Sequence, residues 1–308
     1  MLTDAARSWA EEVLGARVAH VAALSGGVAS RMLLLTTVRG EEAVLRQLVE
    51  DPWRRHAEAL LSRERDVQAL LAGTGVPAPR TLALDATGER TGDPGLLMTR
   101  LPGAVDLRAA GPSRLTALAA LLLAVHRVEP APGSRPREYQ SWAGEAKWHV
   151  PPWAEDPALY VEAFERLRSP APSYAPVFLH RDFHPANVLW SGDRVSGLVD
   201  WVETSTGPAD LDVAHCASHL AGLHGVQAAR TFRRLYVDQG GVLAHDPDAA
   251  AYWQLLDLVA MLPDPLGREG GGTPETVERL WRDAGRPDLD VRTARSRREG
   301  LLRAVLGA

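Results

Sequence analysis

The sequence is short of lysine and of cysteine. Lys147 is the single lysine among 34 basic residues, and every other basic residue is an arginine. A function that needs a lysine must therefore use Lys147 or put arginine in its place. Cys216 is the single cysteine among the 308 residues. One cysteine cannot close an intramolecular disulfide, so a disulfide-stapled extracellular scaffold is excluded.

Two further shortages limit the class of protein. No apolar run approaches the roughly 18 residues that a membrane-spanning helix requires. The formal net charge is −5, so the sequence lacks the basic excess of a typical nucleic-acid-binding protein. The first fifteen residues lack the basic and apolar regions of a signal peptide. We therefore expect a cytoplasmic protein that binds neither nucleic acid nor membrane and needs no obligate protein partner.

The first hundred residues predict a sheet with one long internal helix. Short segments rich in Val, Leu and Thr, separated by turns with Gly or Pro, are typical of strands. The predicted strands are Val18–Leu24, Arg31–Val38, Ala43–Val49, Thr81–Leu84 and Leu96–Thr99. An amphipathic pattern over Trp53–Leu71 predicts the long helix, and a short helix over Asp4–Leu14 precedes the sheet. The short connections indicate mostly antiparallel pairing.

Helices dominate the sequence after Pro102. The predicted helices are Pro112–Val128, Ala158–Arg168, Ala209–Leu223, Ala228–Gln239, Pro247–Met261, Pro274–Ala284 and Val291–Leu306. Residues 130–176 are rich in proline and hold three tryptophans, which predicts an ordered insertion. We therefore expect an α+β fold, with an N-terminal lobe of residues 1–101 and a mainly helical C-terminal lobe of residues 102–308.

Residues 177–190 carry the strongest functional signal. Two apolar strand-like segments enclose a polar loop with Asp182 and Asn187. After a Ser-Gly-Asp-Arg turn the next strand, Val195–Asp200, returns antiparallel and brings Asp200 close to Asn187. Two hard oxygen ligands at this spacing suit Mg²⁺, and Asp182 is placed to accept a proton from a substrate hydroxyl. Phosphoryl transfer requires such a base together with metal ligands on separate elements.

These residues resemble the motifs of kinases. The pattern His180-Arg-Asp182-x-x-x-x-Asn187 is similar to the catalytic loop of protein kinases, and Asp200 stands where those enzymes carry a metal-binding aspartate. The fuller string, Leu-His-Arg-Asp-Phe-His-Pro-Ala-Asn-Val-Leu, resembles more closely the aminoglycoside phosphotransferase and choline kinase family of small-molecule kinases. A protein kinase is disfavoured, because no Ala-Pro-Glu segment follows Asp200.

The resemblance implies a fold, a reaction and two supporting residues. The fold is bilobal and protein-kinase-like, with an N-terminal antiparallel sheet and one long helix. The reaction moves the γ-phosphoryl group of ATP or GTP, with Mg²⁺, to a hydroxyl of a small molecule. The segment Gly207-Pro-Ala-Asp-Leu-Asp212 also matches the family, which implies that Asp212 braces the catalytic loop. His180 is expected to hold the same loop in place.

The resemblance extends over most of the chain and implies a nucleotide site in its first hundred residues. A Ser-Gly-Gly loop between the first two strands matches the family's phosphate-covering loop, and backbone N–H groups of such a loop can cradle phosphates. The segment Leu97–Leu101 resembles the hinge between lobes. The residues expected at the nucleotide are Ser25, Gly26, Gly27, Ser30, Arg46, Glu64, Met98, Thr99 and Leu101.

Arg46 is the departure from the family pattern. It occupies the third-strand position where kinases usually carry lysine, and Lys147 lies in the Pro/Trp-rich insertion. Arginine keeps the charge and offers a planar fork to a phosphate or to Glu64. We therefore expect Arg46, braced by Glu64, to anchor the nucleotide phosphates. A catalytically weak, pseudokinase-like nucleotide-binding module stays open as the alternative.

The phosphate acceptor is the least defined part of the prediction. The resemblance implies an aminoglycoside or other antibiotic, choline or ethanolamine, homoserine, or a sugar. The hairpin of Val188–Trp190 and Val195–Asp200 is called the catalytic hairpin below. The acidic residues after it, Glu203, Asp210, Asp257 and Asp264, favour a cationic acceptor, and Glu203 and Asp257 are candidate substrate contacts. Trp201 and Trp253 are further candidates, because aromatic faces attract quaternary amines.

Two metal sites are alternative interpretations of the histidines. His180, Asp182 and His184 are residue types that bind zinc. His215 and His219 are four residues apart on one predicted helix, where they suit either a metal or ordinary packing. We favour packing for the helical pair and a loop-supporting role for His180.

Overall fold

The computed structural model describes residues 2–24, 30–264 and 273–307. Over these residues the strands are β1 (Val18–Ala23), β2 (Arg31–Thr37), β3 (Glu42–Gln47), β4 (Thr81–Asp85), β5 (Gly95–Thr99), β6 (Ala104–Val105), β7 (Val177–Leu179), β8 (Val188–Ser191), β9 (Arg194–Leu198) and β10 (Ser205–Gly207). The α-helices are α1 (Asp4–Leu14), α2 (Ala57–Leu71), α3 (Pro112–His126), α4 (Pro157–Leu167), α5 (Ala209–His224), α6 (Val226–Asp238), α7 (Pro247–Ala260), α8 (Pro274–Asp283) and α9 (Val291–Leu306). Single 3₁₀ turns cover Arg54–His56, Glu145–Lys147 and Pro185–Asn187.

The first five strands form one antiparallel sheet in the order β1-β2-β3-β5-β4. Side chains of a strand alternate between the two faces of the sheet. On one face of β3, Ala43 and Leu45 pack in a cluster with α1, whereas Val44 on the other face packs in a cluster with α2. Arg46 continues the row of Val44. The strand period therefore directs Arg46 towards α2.

Glu64 lies on the buried face of α2. The buried residues of this helix recur at intervals of three and four, as an amphipathic helix requires, and are Ala57, Leu60, Leu61, Glu64, Val67, Gln68 and Leu71. A carboxylate at 1% exposure within this row needs a partner. The helix begins at Ala57, later than the predicted Trp53, because residues Arg54–His56 form a 3₁₀ turn.

Helix α5 lies at the centre of the helical part of the molecule. It packs against α6, α7 and α9, and Ala, Leu and Val residues occur around its whole circumference. A helix that is apolar on all sides is buried, and here even Asp212 and Ser218 are fully buried. The buried polar side chains of α5, which are Asp210, Asp212, His215 and Ser218, therefore face other protein groups and not solvent. Two of these buried side chains, Asp212 and His215, contact the loop that carries Asp182.

The remaining strands, which include those of the catalytic hairpin, are short, and the sequence did not predict two of them. β8 pairs with β9 and with β6, and β7 pairs with β10. β6 and β10 have only two and three residues, which is too short to show the alternating pattern of a strand in the sequence. They are recognised as strands by their pairing with β8 and β7. β9 ends at Leu198, before the predicted Asp200, because Asp200 has a left-handed φ of 67° that a strand cannot contain.

The α+β, protein-kinase-like fold class is confirmed by the antiparallel five-stranded sheet with its long helix and by the mainly helical remainder. The division into lobes at residues 101 and 102 stays a prediction. Among the described residues, no helix has the length and apolar character that crossing a bilayer demands.

Leu122→Ala in α3 tests the main helical core. Leu122 is fully buried in the cluster that also holds Phe183, Val188 and Trp201, next to the catalytic loop. We expect the free energy of unfolding to fall by about 3 kcal/mol, because the substitution leaves a cavity. Urea denaturation measures the loss. Val237→Ala, at an exposed position of α6, is the control and should change stability by no more than about 0.5 kcal/mol.

Candidate active site

The loop after β7 holds Asp182 and Asn187 in fixed relation. His184 starts the 3₁₀ turn Pro185–Asn187, because its Nδ1 accepts a hydrogen bond from the N–H of Ala186 at 3.2 Å. The side-chain amide of Asn187 then donates to the backbone carbonyl of Asp182 at 2.9 Å and to its Oδ2 at 3.0 Å. Both contacts use Nδ2, so the amide oxygen of Asn187 is left to act as a ligand.

The hairpin brings Asp200 beside this loop. The N–H of Val199 donates to the carbonyl of Asn187 at 3.0 Å, directly next to the β8–β9 pair Val188–Leu198. Asp200 follows in a left-handed conformation, which aspartate tolerates better than most residues, and 40% of its side chain is exposed. The structure therefore brings Asp182, Asn187 and Asp200 together, with oxygens of Asn187 and Asp200 suited to Mg²⁺.

Arg46 connects the sheet to this hairpin. Its Nη1 donates to Glu64 Oε2 at 3.0 Å and to Asp200 Oδ1 at 2.9 Å. Burial lowers the pKa of the guanidinium, but Asp200 and Glu64 more than reverse that effect, so the pKa is raised above its ordinary value. Arg46 therefore stays charged. The pairing with Glu64 was expected, whereas the direct contact with Asp200 was not.

Arg46 retains a donor suited to a phosphate oxygen. Its Nε is buried and has no hydrogen-bond partner among the described residues. A buried N–H without a partner costs free energy, so an oxygen ligand at this point would be favourable. The single lysine cannot serve here, because Lys147 lies in the helical part, where its Nζ donates to the carbonyl of Ala260 at the end of α7.

Asp212 and His180 support the loop from beneath. The N–H groups of His180 and Arg181 each donate to Asp212 at 2.8 Å, and His126 Nε2 lies 3.2 Å from Asp212 Oδ2. Burial opposes the charge on Asp212, but His126 and its other partners lower its pKa below the ordinary value. The His180 ring contacts the carbonyl of Val199 at 3.0 Å, which ties the loop to the hairpin.

The hydrogen bonds of His180 argue against the zinc site, because both nitrogens of its ring are already engaged. Nε2 of that ring is bonded to Val199, and Nδ1 accepts from the N–H of Asp182 at 3.3 Å. Burial lowers the pKa of His180, so the ring is neutral and one donor and one acceptor use both nitrogens. His180 is thus a fully bonded ring inside the loop.

Histidines surround the carboxylate of Asp182. His215 Nε2 lies 3.1 Å from Asp182 Oδ1, and His184 Nε2 lies 3.7 Å from the same oxygen. Burial raises the pKa of Asp182, but His184 and His215 outweigh it and hold the pKa well below its ordinary value of 3.8. Asp182 is therefore ionised at neutral pH, with Asn187 on one oxygen and His215 on the other.

Of the predicted hinge residues, Met98 and Thr99 belong to β5, and Leu101 lies against the catalytic hairpin. Met98 is in β5 and is buried, and Gln68 Nε2 donates to its sulfur at 3.6 Å. Thr99 ends β5, and its hydroxyl accepts from the N–H of Arg80 at 2.9 Å. Leu101 packs on β9, where a Cβ at Gly197 would lie 2.8 Å from Leu101 Cδ1. The segment after β5 is thus held next to the strand that leads to Asp200.

The predicted phosphate-covering loop is described only at its ends. Leu24 and Met32 close the β1–β2 hairpin with a hydrogen bond of 2.9 Å from the Leu24 N–H to the Met32 carbonyl, and Ser30 directly precedes β2. The remaining residues predicted for this loop, Ser25, Gly26 and Gly27, lie outside the described residues. β2 is the neighbour of β3, so the described ends of the loop belong to the strands beside Arg46.

The acidic residues expected to attract a cationic acceptor are engaged with other groups. Glu203 accepts from Arg137 at 2.9 Å. Asp257 is 2% exposed, and its Oδ1 lies 2.8 Å from His215 Nδ1. Asp210 is buried and accepts from the N–H of Ala244 at 3.1 Å. Asp257 thus lies against His215, its Oδ2 is buried without a hydrogen-bond partner among the described residues, and its contact with the acceptor stays a prediction.

Sequence reasoning missed the contact of His215 with Asp182 and the contact of Arg181 with Trp142. His215 is three residues after Asp212 on α5, so the helical period places both on one face, and Asp212 was already expected to face the loop. Arg181 has a left-handed φ of 75° and lies over the ring of Trp142 at 3.9 Å. Neither the φ angle nor the contact with a distant tryptophan leaves a signal in a single sequence.

Fold and site together define a kinase of small molecules, and comparison with known proteins supports this class. Macrolide 2'-phosphotransferase MphH from Brachybacterium faecium has 18% sequence identity and a TM-score of 0.61, over 98% of this chain and 98% of its own. Aminoglycoside-3'-phosphotransferase of type VIII has 21% identity and a TM-score of 0.59, over 83% of this chain and 98% of its own. Identities this low show a common fold.

A third solved structure, a thermostable mutant of aminoglycoside phosphotransferase APH(4)-Ia, is a ternary complex with AMP-PNP and hygromycin B. It has 19% identity and a TM-score of 0.62, over 99% of this chain and 100% of its own. A search among curated protein sequences finds no significant match. The sequence profile of the phosphotransferase enzyme family, APH, matches residues 20–252, so the chain belongs to this family. The resemblance stated from the motifs is thereby confirmed.

Asp212→Ala tests the support of the loop. The substitution leaves the buried N–H groups of His180 and Arg181 without acceptors, and we expect the free energy of unfolding to fall by about 3 kcal/mol. Chemical denaturation followed by circular dichroism measures the change. Asp238→Ala, at the exposed end of α6, should leave stability nearly unchanged. Equal stability of Asp212→Ala and the unaltered chain would contradict the bracing role.

Proposed function

We propose that the protein transfers the γ-phosphoryl group of ATP or GTP to a hydroxyl of a small molecule. The observation that carries this proposal is the convergence of Asp182, Asn187 and Asp200, with Arg46 of the sheet hydrogen-bonded to Asp200 at 2.9 Å. A base, metal ligands and a phosphate-binding cation on separate elements are the parts that phosphoryl transfer needs. Such a kinase belongs in the cytoplasm, where nucleoside triphosphates are available.

The residues present fit a magnesium nucleotide. The amide oxygen of Asn187 and the carboxylate of Asp200 offer the hard oxygens that Mg²⁺ prefers, and Arg46 Nε is a buried donor without a partner. We assign Asn187 and Asp200 to Mg²⁺ and Arg46 to the phosphates. Bound Mg²⁺ would neutralise charge that develops on the phosphate oxygens. The adenine or guanine ring is assigned to the segment of Met98, Thr99 and Leu101.

Asp182 would orient the acceptor hydroxyl and take its proton. Its low pKa makes it a weak base, so it accepts the proton only when the hydroxyl oxygen is already bonding to phosphorus and has become acidic. A loose transition state has this late proton transfer. Positioning and electrostatic stabilisation then account for most of the rate enhancement.

An antibiotic hydroxyl is the first candidate for the acceptor. The support is the similarity of the fold to macrolide and aminoglycoside phosphotransferases, including the complex with AMP-PNP and hygromycin B. Choline or ethanolamine, homoserine and sugars are the alternatives. A screen of γ-labelled ATP and GTP against antibiotics and hydroxyl metabolites identifies the acceptor. Binding of MgATP in a thermal-shift titration without transfer to any compound would instead favour the pseudokinase-like module.

Arg46→Ala tests the phosphate anchor. Removing the guanidinium should raise the KM for ATP about tenfold or more, since a hydrogen bond from a charged donor contributes about 1.5–3 kcal/mol. Arg46→Lys retains the charge and should recover part of the affinity. Arg39→Ala, in the exposed β2–β3 turn, is the control for loss of one arginine. Unchanged KM and kcat in folded Arg46→Ala would contradict the assignment.

Asp182→Asn tests the base. The amide cannot accept the proton, and we expect kcat for transfer from γ-labelled ATP to the identified acceptor to fall at least about 100-fold. The KM for ATP should change little. Asp193→Asn, in the exposed β8–β9 turn, is the matched control and should retain full activity. Retention of kcat in Asp182→Asn would remove Asp182 from the mechanism.

A further inference from the structure

We propose that His215 is a positioning residue, a protonated imidazole that links the catalytic carboxylate of Asp182 to the buried carboxylate of Asp257. The proposal rests on the phosphotransfer function proposed above. His215 Nε2 lies 3.1 Å from Asp182 Oδ1, and Nδ1 lies 2.8 Å from Asp257 Oδ1. His215 and Asp257 are 5% and 2% exposed, so water does not compete for the contact between them, whereas 29% of the Asp182 side chain is exposed.

The link fixes the orientation of Asp182. Asn187 donates to Asp182 Oδ2 at 3.0 Å, whereas His215 donates to Oδ1. A carboxylate held through both oxygens cannot rotate about its Cβ–Cγ bond without losing one of the two. Asp257 belongs to α7, which packs against α5, the helix of His215. The catalytic loop is therefore attached to the helical core at a point independent of Asp212.

The charges around His215 favour the imidazolium. The ionisable groups that contact it are Asp182 and His184 of the loop, His219 of α5 and Asp257 of α7. Arg181 of the loop and Arg298 of α9 interact in turn with these groups. Burial lowers the pKa of His215, but Asp257 and Asp182 outweigh it and raise the pKa to about 9. Burial together with His184 and His215 holds the pKa of His219 well below 6.5, so His219 is neutral.

The same geometry argues against a metal centre in the histidine cluster of His184, His215 and His219. One ring nitrogen of each lies within 4.8 Å of the others. Both nitrogens of His215, however, are engaged by carboxylates. His184 Nδ1 accepts from the N–H of Ala186, so in the neutral ring Nε2 carries the proton and has no lone pair for a metal. Hydrogen bonding therefore accounts for the cluster.

The charge on His215 predicts a direction for the pH dependence. A group whose pKa is raised by folding contributes its full stabilisation below its unfolded pKa of roughly 6.5 and loses it as the pH rises through the folded pKa. For His215 the loss falls between pH about 6.5 and about 9. Deprotonation also removes one of the two N–H donors of His215, so one carboxylate loses its hydrogen bond. We therefore expect kcat to decline over the alkaline part of this range.

The first experiment reads the charge on His215 without any assay of activity. Long-range ¹H–¹⁵N spectra of the histidine-labelled, full-length protein are recorded against pH, and the His215→Gln variant assigns the resonance. We expect a pKa near 9 and a fall of at least about one unit in Asp257→Asn, since a neighbouring carboxylate favours the charged ring. Asp248→Asn, on the exposed first turn of α7, should leave it unchanged. A pKa at or below roughly 6.5 in the unaltered protein overturns the proposal.

The second experiment measures transfer to the acceptor found in the screen. We expect His215→Gln to lower kcat by about tenfold or more with little change in the KM for ATP, because a misoriented base slows the chemical step. Asp257→Asn should move the alkaline decline of kcat to lower pH, an effect that a purely structural role would not produce.

His219→Gln is the matched control in the second experiment, because His219 is on the same helix but has no hydrogen bond to Asp182. It should keep kcat within about threefold of the unaltered enzyme. An equal loss in His219→Gln, together with one zinc per chain by metal analysis, would identify a metal centre and overturn the proposal. If no acceptor is phosphorylated, the proposed function fails, while the spectra still decide the charge on His215.

Discussion

The site depends on one shared guanidinium. Arg46 of β3 bonds Glu64 on α2 and Asp200 after the catalytic hairpin, so a single side chain joins the sheet, its helix and the hairpin. The buried carboxylate of Glu64 needs a charged partner, and Arg46 is that partner while it also bonds the more exposed Asp200. Arginine also retains a further buried donor, Nε, beyond the Nη1 that both contacts use. In a chain with a single lysine, an arginine therefore occupies the buried position that we propose as the phosphate anchor.

Helix α5 organises the other half of the site. Asp212 accepts two N–H groups of the catalytic loop, and one helical turn later His215 contacts the carboxylate of Asp182. Both side chains are buried because α5 is apolar on nearly every side and is enclosed by α6, α7 and α9. The orientation of Asp182 is thus determined by the helical core together with the loop that carries it. Precise positioning of this kind is what phosphoryl transfer requires.

The charge near Asp182 differs from the charge that the count of acidic residues suggested. The carboxylates that favoured a cationic acceptor on sequence grounds are engaged, Glu203 by Arg137 and Asp257 by His215. Arg181, with its guanidinium over Trp142, adds positive charge and an aromatic face. A carboxylate already paired with a cation gives little further attraction to a second one, so acidic residues counted in a sequence say little about the charge that a substrate meets.

The sequence by itself determined the fold class, the order of helices and strands, the kinase-like motif and Arg46 as the basic residue of the third strand. These features depend on local periodicity and on residues close together along the chain, such as Asp182 and Asn187. Only the tertiary structure decided that Arg46 also contacts Asp200, that Asp257 lies beneath His215, and that β6 and β10 form. Each of these joins residues far apart in sequence, and burial sets its strength. A single sequence records the residue types but not which buried charges share one partner.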